Sequence, residues 1–453
     1  MPEEQLLATS REFSRKKLRR DIFLFILVSI FLVASETWLF KQGIFLKKIE
    51  IAIRLIVPII LVLFFRKYTI PNKGKILLTL YGALSFYMLV MVVFSENPSL
   101  VALNTAKYLY ILALPIALLL TLRPTNFSYH FLYIPVYLGL FFAIQTIILF
   151  ILVQGGHPPP SHIAILVGYK NLPVLSYGLW GYAHGMQAIG TNLQVYRAQS
   201  FFGEPTGLAS FLEVSTILSF GLYKIRKDRK MLMVFILCAA SLIITFSMTA
   251  YVVIFLILCF NFIVKRWRAM NLLAPVALGL LALFVIIIIL FYLQIATNPN
   301  IYGQSKLSMA FGHSPREVTA RMGFVVDSLR LFKDYPLGIG LVGAENSMIL
   351  KNYPEASGGI APFEWSGVAG LVGFIIQLTI VFYLMKNIIL KHIKEPNRIE
   401  CYLGLSFVAL LLHHCLAGDW FSGMFFYLLV CLIVTDACQF SFSGAGREIH
   451  PTV

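Results

Sequence analysis

Long apolar runs recur from one end of this chain to the other, and they constrain its fold more than any other feature. We read twelve: 22–40, 49–65, 76–94, 100–121, 131–153, 206–223, 231–247, 248–264, 271–294, 366–385, 399–416 and 421–437. Each has the length that a helix needs to cross the hydrocarbon layer, where every backbone polar group must be bonded within the segment. The expected fold class is therefore all-α. It is a polytopic integral membrane protein of about 12 transmembrane helices, with residues 1–453 as a single membrane domain. Composition agrees, at 58% hydrophobic residues.

Basic residues give the orientation. Arg66, Lys67, Lys73 and Lys75, the stretch Lys224–Lys230, Lys265–Arg268 and Lys386–Arg398 fall in alternate connections. By the positive-inside rule these join the basic N-terminus on the cytoplasmic side, so both termini are expected there. The basic stretch Arg15–Arg20 before the first run resembles a signal-peptide start and is read as an uncleaved anchor. Connections 95–99 and 417–420 carry no Lys or Arg, as outside loops should, whereas Lys41, Lys47 and Lys48 run against the rule. The +16 net charge is mostly this topology signal facing anionic membrane lipid, so no nucleic acid is expected as a partner. Two connections are long, 154–205 and 295–365, and both fall outside. All six cysteines lie in or beside the apolar runs, so no disulfide framework is expected.

The first long loop ends in Arg197-Ala-Gln-Ser-Phe-Phe-Gly-Glu-Pro-Thr-Gly-Leu-Ala209. Pro205 suits the first helical position, where its missing N–H would have no partner. An arginine beside unpaired helix-start N–H groups and the positive dipole end is an arrangement that binds anions, phosphates above all. Arg197, Glu204, Thr206 and Gly207 are the candidate residues of this segment. Tyr169, Tyr177, Trp180, Tyr182 and Tyr196 give the loop an aromatic character that suits an interfacial belt and sugar stacking equally.

The second long loop contains Ser314-Pro-Arg-Glu317, which has the form of a capping box with proline at the first helical position. Val318, Met322, Val325, Leu329 and Phe332 repeat at helical spacing as one apolar face, and the helix should stop at Asp334-Tyr-Pro336. Gly338 and Gly340 make the turn that follows. On the wheel Arg321 sits on the shoulder of the apolar face beside Ser328, Arg330 lies further round and Asp327 opposite. A lone interfacial arginine is commonly a snorkelling anchor. Two of them, each in a long outside loop beside a helix-start or turn signature, favour phosphate binding.

Glu36, Arg54, Lys107, Glu213 and Asn261 lie within apolar runs, where an ionised group costs on the order of 3 kcal/mol unless paired. Inter-helix pairing, such as Glu36 with Arg54, is the reading for most. Glu213 is instead read as a partner that orients an arginine. His413 and His414 point about 100° apart on a helix, which makes a poor metal pair, so structural hydrogen bonding is expected. The chain has no Asp-x-Asp, no P-loop, no H-E-x-x-H and no G-x-S-x-G. A metal-free, cofactor-free reaction on a membrane-held phosphate ester fits what is left.

Two stretches carry a family resemblance, Arg197–Ala209 and Arg321-Met-Gly-Phe through Phe332-Lys-Asp-Tyr-Pro-Leu-Gly-Ile-Gly340, with Gly367–Gly370 as a weaker third. They resemble the conserved segments of the O-antigen ligase and polymerase (Wzy-like) superfamily, bacterial membrane glycosyltransferases of GT-C-like architecture. The resemblance implies a donor glycan on undecaprenyl diphosphate and a location in the bacterial cytoplasmic (inner) membrane. It also implies a possible chain-length regulator as protein partner.

The ligases carry a His-Asn pair after the Gly-x-Gly turn. Residues 341–366 hold no histidine here; Glu345-Asn346 is the nearest echo, with Glu355 and Glu364 following. Thr206 also stands where asparagine is usual. Both differences tilt the reading to a polymerase. The resemblance then implies that Arg197 and Arg321 neutralise the departing diphosphate, while Glu204, Glu345 or Glu364 accepts the acceptor's proton. Rival readings are the ligase with lipid A–core as acceptor, a peptidoglycan polymerase of about ten spans, and a twelve-span flippase or transporter for lipid-linked oligosaccharide.

Overall fold

A computed structural model of the chain describes residues 22–34, 36–37, 43–65, 70, 72–121, 129–155, 161–167, 170–176, 182–189, 193–202, 204–266, 327–340, 348–353, 361–386, 398–416 and 422–443. In chain order these form α1 (Ile22–Ala34), α2 (Gly43–Phe65), α3 (Asn72–Phe94), α4 (Pro98–Thr121) and α5 (Tyr133–Gln154). After a β-sheet come α6 (Pro205–Arg226), α7 (Arg229–Ile244) and α8 (Met248–Arg266). Then follow α9 (327–334), α10 (Met348–Lys351), α11 (Ala361–Leu384), α12 (Ile399–Leu416) and α13 (Gly423–Ser443).

Eleven of the twelve apolar runs coincide with these helices, and the run 271–294 lies outside the described residues. Among the described residues, α3, α5 and α6 are long and apolar enough to cross a membrane by length and composition, and six shorter apolar helices accompany them. The body is therefore mostly helical and multi-pass.

The all-α expectation fails in the first long connection. Between α5 and α6 the chain makes an antiparallel meander of β1 (Ser161–Val167), β2 (Lys170–Ser176), β3 (Tyr182–Ile189) and β4 (Leu193–Ser200), in that spatial order. The signals are short: Ile163, Ile165 and Val167 alternate, and only Gly168 and Tyr169 separate β1 from β2. Pro173 lies inside β2, yet β3 pairs there only with Val174–Ser176, so the missing N–H breaks no bond on that side. Ala183 of β3 and Ala198 of β4 bury themselves with Leu149 and Val153, seating the sheet on the end of α5.

α6 is the axis of the bundle. In its most apolar window 72% of residues are buried, against 44% in α5 and 28% in α3. Ser215 Oγ donates to the Pro135 carbonyl at 2.7 Å, tying α6 to α5, and Ser241 Oγ donates to the Ala143 carbonyl at 2.8 Å, tying α7 to α5. On the opposite side Gly221 lets α12 approach so closely that a Cβ there would stand 2.4 Å from Tyr402 Cγ. Short polar bonds and missing side chains do this work because apolar residues gain nothing by leaving lipid for one another.

Contacts between helix ends obey one alternation. Arg226 Nη1 donates to the Tyr133 hydroxyl at 2.7 Å, joining the end of α6 to the start of α5. Met424 N donates to Glu36 Oε1 at 2.8 Å, and Arg54 Nη2 donates to the Ala34 carbonyl at 3.0 Å. Each contact pairs ends that the pattern of basic connections assigns to the same side. The Arg54 and Glu36 side chains thus both find protein partners inside the bundle.

Candidate active site

β4 leads directly into α6, and the junction is built from buried groups. Ser200 takes a left-handed backbone (φ 52°) and its hydroxyl bonds the Gln145 side chain of α5. Phe201 and Phe202 then turn inward, and Phe202 meets Phe142 edge to face with ring centroids 5.1 Å apart. Gln199 Nε2 donates to the Phe202 carbonyl at 3.2 Å and holds the reversal. Glu204 is the extended N-cap of α6, Pro205 occupies the first helical position as expected, and the Glu204 side chain makes no capping bond. The Glu204 carbonyl accepts from Gly207 N at 3.1 Å and Leu208 N at 3.3 Å. Glu204 and Gly207 are exposed and Thr206 is half-buried, so this helix start is open.

Arg197 lies three residues before Ser200, opposite His184 of β3. Its Nε–H donates to the carbonyl of Thr245, which caps the end of α7, at 3.0 Å. Beside it, the Tyr251 hydroxyl of α8 donates to the Ile243 carbonyl, and the guanidinium is within electrostatic reach of that phenol. The expected neighbour of Arg197 was the start of α6; the structure adds the end of α7, whose carbonyls and negative dipole end suit a cation. The guanidinium is half-buried, with its plane set by a backbone bond.

The second segment assembles on the α3–α4 hairpin. Ser328 and Leu331 of α9 are buried, Leu329 is 43% exposed, and Arg330 points out with Asp327 Oδ1 at 3.6 Å. The buried face is thus turned from the expected one, because Leu331 joins Val101, Ile339 and Leu350 in a small core while Leu329 does not. The helix does stop where expected. Tyr335 N still donates to Leu331, Gly338 N donates to the Tyr335 carbonyl at 2.8 Å, and Gly338 and Gly340 take φ of 86° and 79°. The turn then seats on α11, which breaks at Gly370 (φ 59°). Leu371 N donates to the Pro336 carbonyl at 2.8 Å, and a Cβ on Gly370 would stand 2.3 Å from the Leu337 carbonyl carbon.

Of the residues singled out by sequence, Glu204, Thr206 and Gly207 form one group at the start of α6, with Arg197 on the strand that leads into it and bonded to the end of α7, and Gly338 and Gly340 form a second. Glu364 lies on α11 six residues before the break, so the second group is joined to the helix that carries it. Arg321 and Glu345 lie outside the described residues, as do the capping box at Ser314–Glu317, Tyr169, Tyr177, Trp180 and Glu355. Among the described residues Glu213 meets a histidine rather than the arginine expected. Its Oε1 lies 2.7 Å from His413 Nδ1 of α12, both side chains being buried, which gives that histidine the structural bond expected of it. Sequence reasoning missed Thr245, Tyr251 and the Glu213 partner because each is brought in by tertiary packing. The cavity of about 220 Å³ between α3, α4 and α13 is lined by Leu77, Tyr81, Pro115, Phe426 and other apolar residues. It shares no residue with either group and is not the candidate site.

A search among curated proteins finds no match to the chain. Residues 233–364 match the family model described as O-antigen ligase. The matched stretch begins in α7, takes in Thr245, Arg321, α9, the Gly338–Gly340 turn and Glu345, and ends at Glu364; the Arg197 segment precedes it. Over this stretch the chain is similar to the O-antigen ligase family, which supports the resemblance to the O-antigen ligase and polymerase superfamily.

Proposed function

We propose that the protein is a repeat-unit polymerase of a bacterial surface polysaccharide, acting at the outer face of the cytoplasmic membrane. The donor is a growing glycan on undecaprenyl diphosphate and the acceptor a single lipid-linked repeat unit. A hydroxyl of the acceptor's terminal sugar attacks the anomeric carbon of the donor's reducing-end sugar. The bond from that carbon to the diphosphate oxygen breaks, and undecaprenyl diphosphate departs with the electron pair. The acceptor proton passes to a carboxylate, with Glu204, Glu345 and Glu364 as candidates.

The observation that carries this reading is the fixed guanidinium of Arg197 on the strand that runs into the open start of α6. Positive charge held in place before the bond breaks stabilises a leaving diphosphate without reorganisation. Arg321 is the second cation in this proposal. It stands seven residues before the buried Ser328, so an uninterrupted helix would put the two within about 20° of one face.

The family model is described as a ligase, and that favours the second reading, transfer of the same donor to lipid A–core. The absence of histidine from residues 341–366 favours the polymerase. Deleting the gene in its host and separating the surface polysaccharide on a gel decides between them. Collapse of the ladder to carrier bearing one repeat, restored by wild type and not by Arg197→Ala, supports the polymerase. Loss of even that single-repeat band with accumulation of lipid-linked polymer supports the ligase, and an unchanged ladder sinks both.

A further inference from the structure

Strained backbone gathers around Arg197. Among the described residues three non-glycine positions take a left-handed backbone, and two of them flank the contact between Arg197 and Thr245. Ser200 (φ 52°) follows Arg197 by three residues on β4, and Phe246 (φ 50°) follows Thr245 directly in the turn between α7 and α8. The third, Lys227, caps the end of α6, where helices commonly finish left-handed. A bulky residue such as phenylalanine seldom takes that conformation, and keeps it only where the surroundings impose it.

The α7–α8 turn is held carbonyl by carbonyl. The Ser241 carbonyl accepts from Thr245 N at 3.1 Å, and the Leu242 carbonyl from the Thr245 hydroxyl at 2.7 Å. The Ile243 carbonyl accepts twice, from Phe246 N at 3.1 Å and from the Tyr251 hydroxyl, which reaches back from the first turn of α8. The carbonyl of Thr245 itself takes Arg197 Nε. Phe246 N already satisfies the Ile243 carbonyl, so the phenol is not needed to end α7. What it adds is a tie across the strained turn, from α8 to the carbonyl two residues before Thr245. The Phe246 ring, with its centroid 6.2 Å from that of Phe150, seats the same turn on α5.

We infer that Tyr251 is a positioning residue: its hydroxyl ties down the strained α7–α8 turn, so that the Thr245 carbonyl fixes the plane of the Arg197 guanidinium. This rests on the proposed role of Arg197 in neutralising the departing diphosphate. A preorganised cation loses its advantage when its support loosens, and a misplacement of about 1 Å costs on the order of a hundredfold. Removing one of the ties on the turn loosens it part of the way. The phenol acts through Arg197, so its effect depends on that guanidinium's being intact.

The test is a double-mutant cycle on Tyr251→Phe and Arg197→Lys, in membranes of the deletion strain carrying each variant and supplied with lipid-linked repeat unit extracted from that strain. Arg197→Lys keeps the charge and removes the planar fork, so it leaves measurable activity. The expected result is that Tyr251→Phe lowers the maximal rate about tenfold with little change in KM and in thermal unfolding. In the Arg197→Lys background the same change costs about twofold or less. Full activity of Tyr251→Phe overturns the inference. So does a tenfold loss in both backgrounds, which would mean that the phenol acts independently of the guanidinium, or a loss that tracks unfolding. If Arg197→Ala and Arg197→Lys both retain full activity, the role of Arg197 itself falls, and that of Tyr251 with it.

Discussion

Arg197 and Thr245 meet across 48 residues of sequence, the Nε–H of one on the carbonyl of the other at 3.0 Å. The contact joins the last strand of the β-sheet to the end of α7, and so fixes a cation at the edge of the helical body. It also joins two connections that the basic-residue pattern places on the same side.

Arg197→Ala should abolish most transfer, by about a hundredfold or more, since one preorganised donor at a developing charge contributes that much. Arg197→Lys should recover only part of it, because an ammonium keeps the charge and loses the bond that sets the guanidinium plane. Turnover in membranes, with detergent-solubilised size exclusion to show that both variants fold, checks this.

Glu213→Ala and His413→Ala should each destabilise the protein by about 3 kcal/mol, because each leaves a buried polar partner uncompensated. Replacing both with leucine should cost less than either single change, since the pair then disappears as a unit. Both side chains are essentially inaccessible, at 0% and 1% exposure, so no solvent replaces the lost bond. Thermal unfolding of the three variants in detergent decides.

Gly139 and Gly370 should resist alanine for different reasons. A Cβ on Gly139 would lie 2.1 Å from Ser215 Oγ and push α5 off α6, whereas at Gly370 it would strike the Leu337 backbone in a left-handed conformation. Each change should lower the melting temperature by several degrees, about 1–3 kcal/mol. Only Gly370→Ala should also expose the 336–340 turn to limited proteolysis.

Tyr353 donates its hydroxyl to the Asp334 carboxylate, and that bond pushes its pKa up to about 12. A folded pKa above the ordinary value near 10 means that the contribution is fully present below about pH 10 and is lost as pH rises through about 12. The difference ultraviolet titration of wild type minus Tyr353→Phe should therefore have its midpoint near pH 12. A midpoint near 10 would show that the bond is not kept in solution.

Helix positions were legible in the sequence because membrane spans are written in one continuous variable. Pro205 at the first turn of α6 and the stop before Pro336 followed from backbone chemistry alone. The β-sheet was missed because its strands are seven or eight residues long and share their loop with proline and aromatic residues. The rotation of α9 escaped for another reason. A wheel ranks Leu329 above Ser328, while the packing partners Val101 and Leu350 come from other parts of the chain. His413 was legible as a polar residue in a span, but its partner Glu213 lies 200 residues away, and nothing local announces the pair.

The most direct measurement is on purified protein in vesicles with lipid-linked repeat unit from the deletion strain. The prediction is that wild type lengthens the glycan and releases one undecaprenyl diphosphate for each linkage formed, and that Arg197→Ala does neither. Movement of intact lipid-linked repeat unit across the bilayer, with no lengthening and no diphosphate released, would contradict the account and make this protein a transporter.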